Sequence, residues 1–218
     1  MEFIPIDTEK WERSFYFDHY LNEARCTYSL TANIDITALN TELKSKRLKL
    51  YPVLLHMLAT VVNRHREFRT CFDASGRLGY WSRMSPCYTV FHTDDKTFSN
   101  LWTEYCDEFP EFYARYLADI RKYGDSKHFY PQGGEPPYTF PVSCLPWVSF
   151  TGFNLNIYSA GTYLLPIFTI GKYFGQEGKI LLPLSLQCHH AVCDGYHASV
   201  FLNELQLRSD RCLEWLPA

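Results

Sequence analysis

A two-layer α/β sandwich is the fold class that the sequence predicts, and three observations predict it. Strand-like segments mix with helices of ordinary length along the chain. One run, Ile180-Leu181-Leu182-Pro183-Leu184-Ser185-Leu186-Gln187-Cys188, is apolar enough for a sheet interior. Hydrophobic residues make up 46% of 218 and charged ones 21%, which suits one good core. A single domain over residues 1–218 is therefore expected, with no internal repeat and no low-complexity stretch.

The elements follow in order. Arg25–Ile34 alternates, with Cys26, Tyr28, Leu30 and Ala32 on one face, and reads as a half-buried strand. Asp35 or Thr37 can cap a helix running to about Lys46. Pro52 suits the start of a second helix, and Val53–Val62 is apolar nearly all round, so that helix is expected to be buried. Thr70–Ala74 and Leu78–Trp81 flank a turn at Ser75–Gly76 and read as a hairpin, and Cys87–His92 as another strand. Phe98–Tyr123 has a helical pattern interrupted by Pro110, which predicts two helices. The Gly- and Pro-rich stretch 124–141 is a long loop, a type that often carries function. Strands are expected at Cys144–Phe150, Phe153–Tyr158, Leu164–Lys172 and Lys179–His189, with Pro183 at a bulge or an unpaired position. Asp194–Leu207 closes the chain as a helix.

Composition excludes several classes. Lys+Arg 21 against Asp+Glu 24 gives a formal charge of -3, with no electrostatic footprint for nucleic acid. No run of about 18 apolar residues is long enough to cross a bilayer. Charges at Asp7, Glu9, Lys10, Glu12, Arg13 and Asp18 break any signal-peptide core, so a cytoplasmic protein is expected. None of the eight cysteines forms a C-x-x-C pair, and buried, reduced thiols fit that compartment. The 16 Phe, 16 Tyr and 5 Trp supply apolar bodies, many with a polar tip, suited to pockets and interfaces as well as cores.

The chemistry concentrates in Cys188-His189-His190-Ala191-Val192-Cys193-Asp194-Gly195, where a buried strand turns into a helix. Adjacent strand residues face opposite ways, so the two histidines cannot share one task. An imidazole at a strand end can address a ligand, and a neutral one can take a proton from an attacking hydroxyl and return it to a leaving group. Asp194 is either the group that orients the ring or the anchor of the turn, as a helix cap. Cys188, His189, His190, Cys193, Asp194 and His197 are all metal-ligand types, but the histidines diverge and no second cluster has zinc spacing, so no metal is expected.

The same residues, His189-His190-Ala191-Val192-Cys193-Asp194-Gly195, resemble the H-H-x-x-x-D-G signature of the CoA-dependent acyltransferases. The wider context is similar to the chloramphenicol acetyltransferase family: Trp11-x-Arg13-x-x-x-Phe17-x-x-Tyr20, Ile34-Asp35-Ile36-Thr37, Tyr51-Pro52, Phe91-His92, Thr97-Phe98-Ser99 and Phe153-Asn154-Leu155-Asn156. These landmarks cover nearly the whole chain.

The resemblance implies a mixed-sheet sandwich of the CoA-dependent acyltransferase type, assembled as a homotrimer with active sites between subunits. It implies acetyl transfer from acetyl-CoA to a hydroxyl of chloramphenicol by direct attack. A same-fold acyltransferase with another alcohol or thiol acceptor, or a non-catalytic drug-binding trimer, is the alternative. By motif position His190 is the general base, and Asp194 pairs with Arg13 to hold the turn that presents it. Ser143 is matched to the oxyanion donor and Thr169 to a threonine acting through water. No G-x-S-x-G elbow supports Ser143 as a nucleophile. No G-x-G-x-x-G or P-loop is present, so Lys49 and Lys172 are matched to the nucleotide end of CoA, with Tyr51, Trp147 and Tyr173 as walls. Tyr20, Cys26, Tyr28, Phe98, Tyr130, Phe153 and Leu155 are matched to the acceptor pocket. Tyr28 and Tyr130 stand where some members carry Phe, Pro141 where an Asn is frequent, Cys188 where a branched aliphatic is usual, and the tail 211–218 has no evident counterpart.

Overall fold

The computed structural model describes residues 1–155, 157 and 161–217. β1 (Phe3–Pro5) leads to α1 (Ser14–Asp18), which runs on as a π-helical turn at His19–Glu23. In β2 (Thr27–Asp35) the alternating strand appears two residues later than the pattern placed it. The Asp35 carboxylate accepts from the backbone N–H (3.0 Å) and hydroxyl (2.6 Å) of Thr37, which opens α2 (Thr37–Ser45). α3 (Leu50–Arg64) holds Pro52 in its first turn, where a missing N–H has no intrahelical partner to lose, and Pro52–Val62 is buried throughout. The expected hairpin forms from β3 (Thr70–Phe72) and β4 (Leu78–Trp81), followed by β5 (Ser85–Phe91).

The segment expected as a first helix at Phe98 is instead a strand, β6 (Phe98–Trp102). Ser99 and Leu101 turn inward while their neighbours do not, a period of two that five residues of antiparallel register with β5 lock in place. Pro110 does not interrupt a helix; it sits in the first turn of α4 (Phe109–Tyr123). β7 (Thr139–Leu145) begins five residues before the expected strand at Cys144, because Pro141 lies inside it and hid its start. β8 (Ile167–Gly171), β9 (Phe174–Gln176), β10 (Lys179–His189) and α5 (Gly195–Asp210) complete the fold. Phe153, Asn154, Leu155 and Ile157 form no strand, contrary to expectation, and Asn156 and Tyr158 lie outside the described residues. The backbone here bonds to side chains instead: Ser185 Oγ donates to Phe153 O (2.7 Å) and Leu155 N–H donates to Gln187 Oε1 (2.9 Å).

The main sheet has the order β2-β10-β8-β7-β5-β6, with β9 beside β10, and a smaller sheet has the order β1-β4-β3. The β5–β7 and β7–β8 pairs are parallel and the others antiparallel, so the sheet is mixed as expected. Pro183 pairs with Asn33 in unbroken register on one side, and has no registered partner on the other, between the ends of β8 and β9. Leu182, Leu184, Leu186 and Cys188 alternate along β10 toward the helices and share a core with Leu55, Phe112 and Phe201. The opposite face is polar. Thr31, Ser185, Thr169 and Ser143 lie side by side across β2, β10, β8 and β7. The chain from 146 to 155 folds over part of that face, and Gly171 makes room for it: a Cβ there would stand 2.8 Å from the Phe150 ring.

Candidate active site

β10 ends at His189, and a tight turn carries the chain into α5. His189 O accepts from the N–H groups of Val192 (3.1 Å) and Cys193 (3.0 Å), which folds Asp194 back to the helix start. The two histidines separate as strand geometry demands. His189 is buried at 2% exposure, its Nδ1 accepts from Ala191 N (3.2 Å), and burial holds its pKa below the ordinary value. His190 is only partly buried. Its backbone N–H donates to Cys26 O (2.9 Å). Its ring lies flat on Tyr20, with centroids 3.8 Å apart and planes at 9°, and meets the edge of Tyr28 at 5.4 Å. Among the described residues its Nδ1 is buried without a hydrogen-bond partner.

Arg13 grips this turn with three nitrogens. Nε donates to Ala191 O (2.8 Å), Nη2 to His190 O (2.8 Å) and Nη1 to Asp194 Oδ2 (2.9 Å). Asp194 therefore anchors the turn and does not touch the His190 ring, which decides between the two readings open from sequence. Its Oδ1 caps α5, accepting from Tyr196 N (3.1 Å). Burial opposes its ionisation, but the Arg13 hydrogen bond and the charge of His197 outweigh that and hold the carboxyl below its usual range.

Cys26 joins Tyr20 to His190 through the backbone, since its N–H donates to Tyr20 O (3.3 Å) and its carbonyl takes the His190 N–H. Tyr28 turns its hydroxyl into the protein, where it is buried beside Cys188. Burial, with Cys188 and Cys193 beside it, raises that phenol far above its ordinary pKa. Tyr20, Cys26, Tyr28, Arg13, Asp194 and His190 thus form one cluster.

Ser143 and Thr169 are direct neighbours across β7 and β8, but they are not part of that cluster. They sit on the polar face, level with Ser185 five residues before His190, Thr169 one strand from β10 and Ser143 two. At about 3.3 Å per residue and 4.8 Å per strand, Ser143 lies on the order of 20 Å from His190. Phe98, Tyr130 and Leu155 also lie outside the cluster, 48%, 39% and 44% exposed. Phe98 packs on Phe129 (5.8 Å), Phe129 on Tyr130 (4.7 Å), and Phe153 on Phe150 (5.7 Å). The long loop is zipped to β6: Asn100 N–H donates to Phe129 O (2.8 Å), and the Gln132 amide bonds both backbone groups of Trp102. Glu135, which sequence reasoning missed, accepts from Tyr130 (3.2 Å) and Thr139 (2.7 Å) hydroxyls. A carboxylate in a Gly/Pro loop has no periodicity that would reveal it.

Of the residues matched to CoA, Tyr51, Lys172 and Tyr173 share an apolar cavity of about 190 Å³ with Leu50, Leu54 and Ile170. Lys49 is exposed one residue before α3, its N–H bonded to the Tyr113 hydroxyl (3.1 Å). Trp147 is 60% exposed and stands edge-on to Phe91 at 4.7 Å. Among the described residues no three His, Cys, Asp or Glu side chains are grouped to hold a metal ion, and no helix is long and apolar enough to cross a membrane.

Comparison with known proteins bears on the whole chain. The family described as Chloramphenicol acetyltransferase (CAT) matches residues 1–206. A chloramphenicol acetyltransferase of Clostridium perfringens is 62% identical over 216 residues, 99% of each chain. One of Clostridium butyricum is 58% identical over the same length, 99% of each chain, and one of Vibrio anguillarum 49% identical over 206 residues, 94% of each. The first two matches extend into the C-terminal tail, which sequence reading left without a counterpart. Among solved structures, a chloramphenicol acetyltransferase superposes with a TM-score of 0.86 at 21% identity, covering 94% of this chain and 98% of that one. The cubic core of the pyruvate dehydrogenase complex superposes with a TM-score of 0.70 at 19% identity, covering 100% and 94%. At these identities the structural matches speak to the fold.

Proposed function

The chain belongs to the chloramphenicol acetyltransferase family, and from that premise we propose that it moves the acetyl group of acetyl-CoA to a hydroxyl of chloramphenicol. The observation that carries the reading is the presentation of His190: a ring stacked on Tyr20, its backbone N–H on Cys26, and its carbonyl and that of Ala191 held by Arg13. Nε2 takes the proton of the attacking hydroxyl as its oxygen bonds to the thioester carbonyl carbon. The carbonyl oxygen gains the negative charge, and the tetrahedral species collapses by breaking the C–S bond. The proton on His190 then goes to the departing thiolate, giving CoA and the acetylated drug. Ser143 is suited to donate to the oxyanion, with Thr169 beside it in register.

Because His190 and Ser143 are far apart in one chain, one complete site needs His190 from one copy and Ser143 from another. This supports a homotrimer with sites between subunits. Exposed aromatic rings support it as well: Phe15, Trp147 and Tyr196 are 78%, 60% and 75% exposed in the single chain. Lys49 and Lys172 supply cations for the phosphates of CoA, and the apolar cavity at Tyr51 and Tyr173 accepts its slim arm. A cytoplasmic location fits the supply of acetyl-CoA.

The test is the purified protein with acetyl-CoA, chloramphenicol and a thiol reagent. Thiol release that depends on chloramphenicol is expected. Release only with other alcohols or thiols in an acceptor panel would reassign the substrate, and drug binding with no release under any acceptor would end the enzymatic reading.

A further inference from the structure

We propose that Glu135 is a specificity-determining residue for this reaction: its carboxylate sets an uncompensated negative charge at one end of the acceptor groove, so that the site takes alcohols with a neutral or cationic far end and turns away anionic ones. The proposal rests on the reading above that the acceptor hydroxyl reacts beside Ser143.

Glu135 stands on the same face of the main sheet as Ser143. Its Oε1 accepts from the Thr139 hydroxyl (2.7 Å) and its Oε2 from that of Tyr130 (3.2 Å). Thr139, Pro141 and Ser143 alternate along β7 on the polar face, whereas Phe140 and Val142 point into the core. Thr139 precedes Ser143 by four residues, about 13 Å along the strand. The Cys87 thiol hydrogen-bonds Glu135 as well, and Cys87 pairs with Pro141, two residues before Ser143. The carboxylate therefore lies roughly 10 Å from Ser143 across one surface, within the span of a single drug-sized acceptor. Phe98, Phe129 and Tyr130 flank that surface on the β6 side, with ring centroids 5.8 and 4.7 Å apart in turn. A groove with aromatic walls and one charge at its end discriminates by that charge.

Nothing nearby cancels the charge. Among the described residues Glu135 forms no ion pair, and Lys127, the cation of the same loop, is committed to Asp94 and Asp95. The Thr139 and Tyr130 hydroxyls fix the two oxygens without bringing a positive charge. Burial first, and then the charge of Glu135, raise the Cys87 thiol and the Tyr163 phenol far above their ordinary values, and the Tyr130 phenol is raised for the same reasons. These neighbours stay neutral near pH 7, which leaves Glu135 as the one charge of the group. A second negative charge brought into the groove meets repulsion and loses hydration, whereas an ammonium group is attracted.

A purely structural role gives a different expectation. If Glu135 only ties its loop to β7, the amide of Glu135→Gln replaces it, accepting from one hydroxyl and donating to the other, and the order of acceptors stays the same. Wild type, Glu135→Gln and Glu135→Ala are assayed by thiol release with acetyl-CoA and three acceptors: chloramphenicol, an analogue with a carboxylate in place of the nitro group, and one with an aminomethyl group there. Each charged analogue is scored relative to chloramphenicol in the same protein. Each is also tested as a competitive inhibitor, so that an analogue that is not acetylated still reports its affinity. We expect both variants to raise the relative kcat/KM, or the relative affinity, of the carboxylate analogue about tenfold and to lower that of the aminomethyl analogue several-fold, through KM rather than kcat. High salt should narrow the preference of the wild type. Relative values within about twofold of wild type in Glu135→Gln overturn the proposal, as does a shift confined to Glu135→Ala, which marks a lost tether, or a wild type that binds neither analogue. Wild-type protein that releases no thiol with chloramphenicol removes the reaction itself, whereas chloramphenicol turnover with an unchanged charge preference removes only the role of Glu135.

Discussion

His190 is the residue on which the proposed chemistry turns, and its surroundings suit a common side chain to that one task. Its neighbour His189 has the same side chain and is sealed in, with burial disfavouring its charged form. One residue of chain progress changes the face, and with it the role. His190→Ala is expected to lower kcat by at least 10²–10⁴-fold, the usual contribution of a general base, with the protein still folded; thiol release and circular dichroism read the two halves. Arg13→Ala removes donors from two carbonyls and a charge from beside Asp194. It should lower both kcat and stability, by about 2–4 kcal/mol of unfolding free energy, because the groups left behind are partly buried. A variant that loses activity but keeps full resistance to urea would show that the guanidinium does no structural work.

At the scale of elements, α3, α4 and α5 meet at a buried histidine that the reaction does not use. His56 is fully buried, with Nε2 3.2 Å from Cys106 O and Nδ1 3.2 Å from Arg208 Nη2. The neutral ring with its proton on Nε2 satisfies both contacts, donating to the carbonyl and accepting from the guanidinium. A second proton would sit on Nδ1 and face Arg208. Burial and that charge hold His56 down at about 4. In the unfolded chain it titrates near 6.5, so between those values the unfolded state binds the extra proton and the folded state does not. Stability should therefore fall as pH drops from about 6.5 to about 4, by roughly 3 kcal/mol from this group. Melting temperatures across that range, for the wild type and His56→Gln, should diverge; parallel curves would assign the acid lability elsewhere.

The same scale shows what was legible beforehand. The buried α3, the hairpin, β10 and the strand–turn–helix at His190 were readable, because apolar periodicity and turn residues agree there. β6 was not: apolar residues spaced at 98, 101 and 102 suit a helix as well as a strand, and only pairing with β5 decides. Arg13 and Asp194 are 181 positions apart, and only the family resemblance joined them before the coordinates did. Glu135 carried no signal at all.

At the scale of the whole molecule, the proposed roles of His190 and Ser143, far apart in one chain, would make catalysis a property of assembly. An equal mixture of His190→Ala and Ser143→Ala subunits, unfolded and refolded together, should regain activity that neither possesses alone. If, as proposed, each site of a closed ring takes its histidine from one copy and its serine from the next, about a quarter of the sites are intact after random mixing. Activity no higher than the average of the separate variants would place both groups of each site in one chain. Sedimentation should report three copies. A further consequence follows from the last residues. Trp215 lies 4.4 Å from the Arg208 guanidinium, donates from Nε1 to Arg208 O (3.0 Å) and packs edge-on to Phe109 at 5.4 Å. The Trp215 ring, 6.1 Å from that of His56, thus closes the interior from a segment that follows every catalytic residue in the sequence. A premature stop at Arg211 would spare every group of the catalytic machinery and still yield a nascent protein with an unsealed interior, prey for proteases before it could ever protect its host.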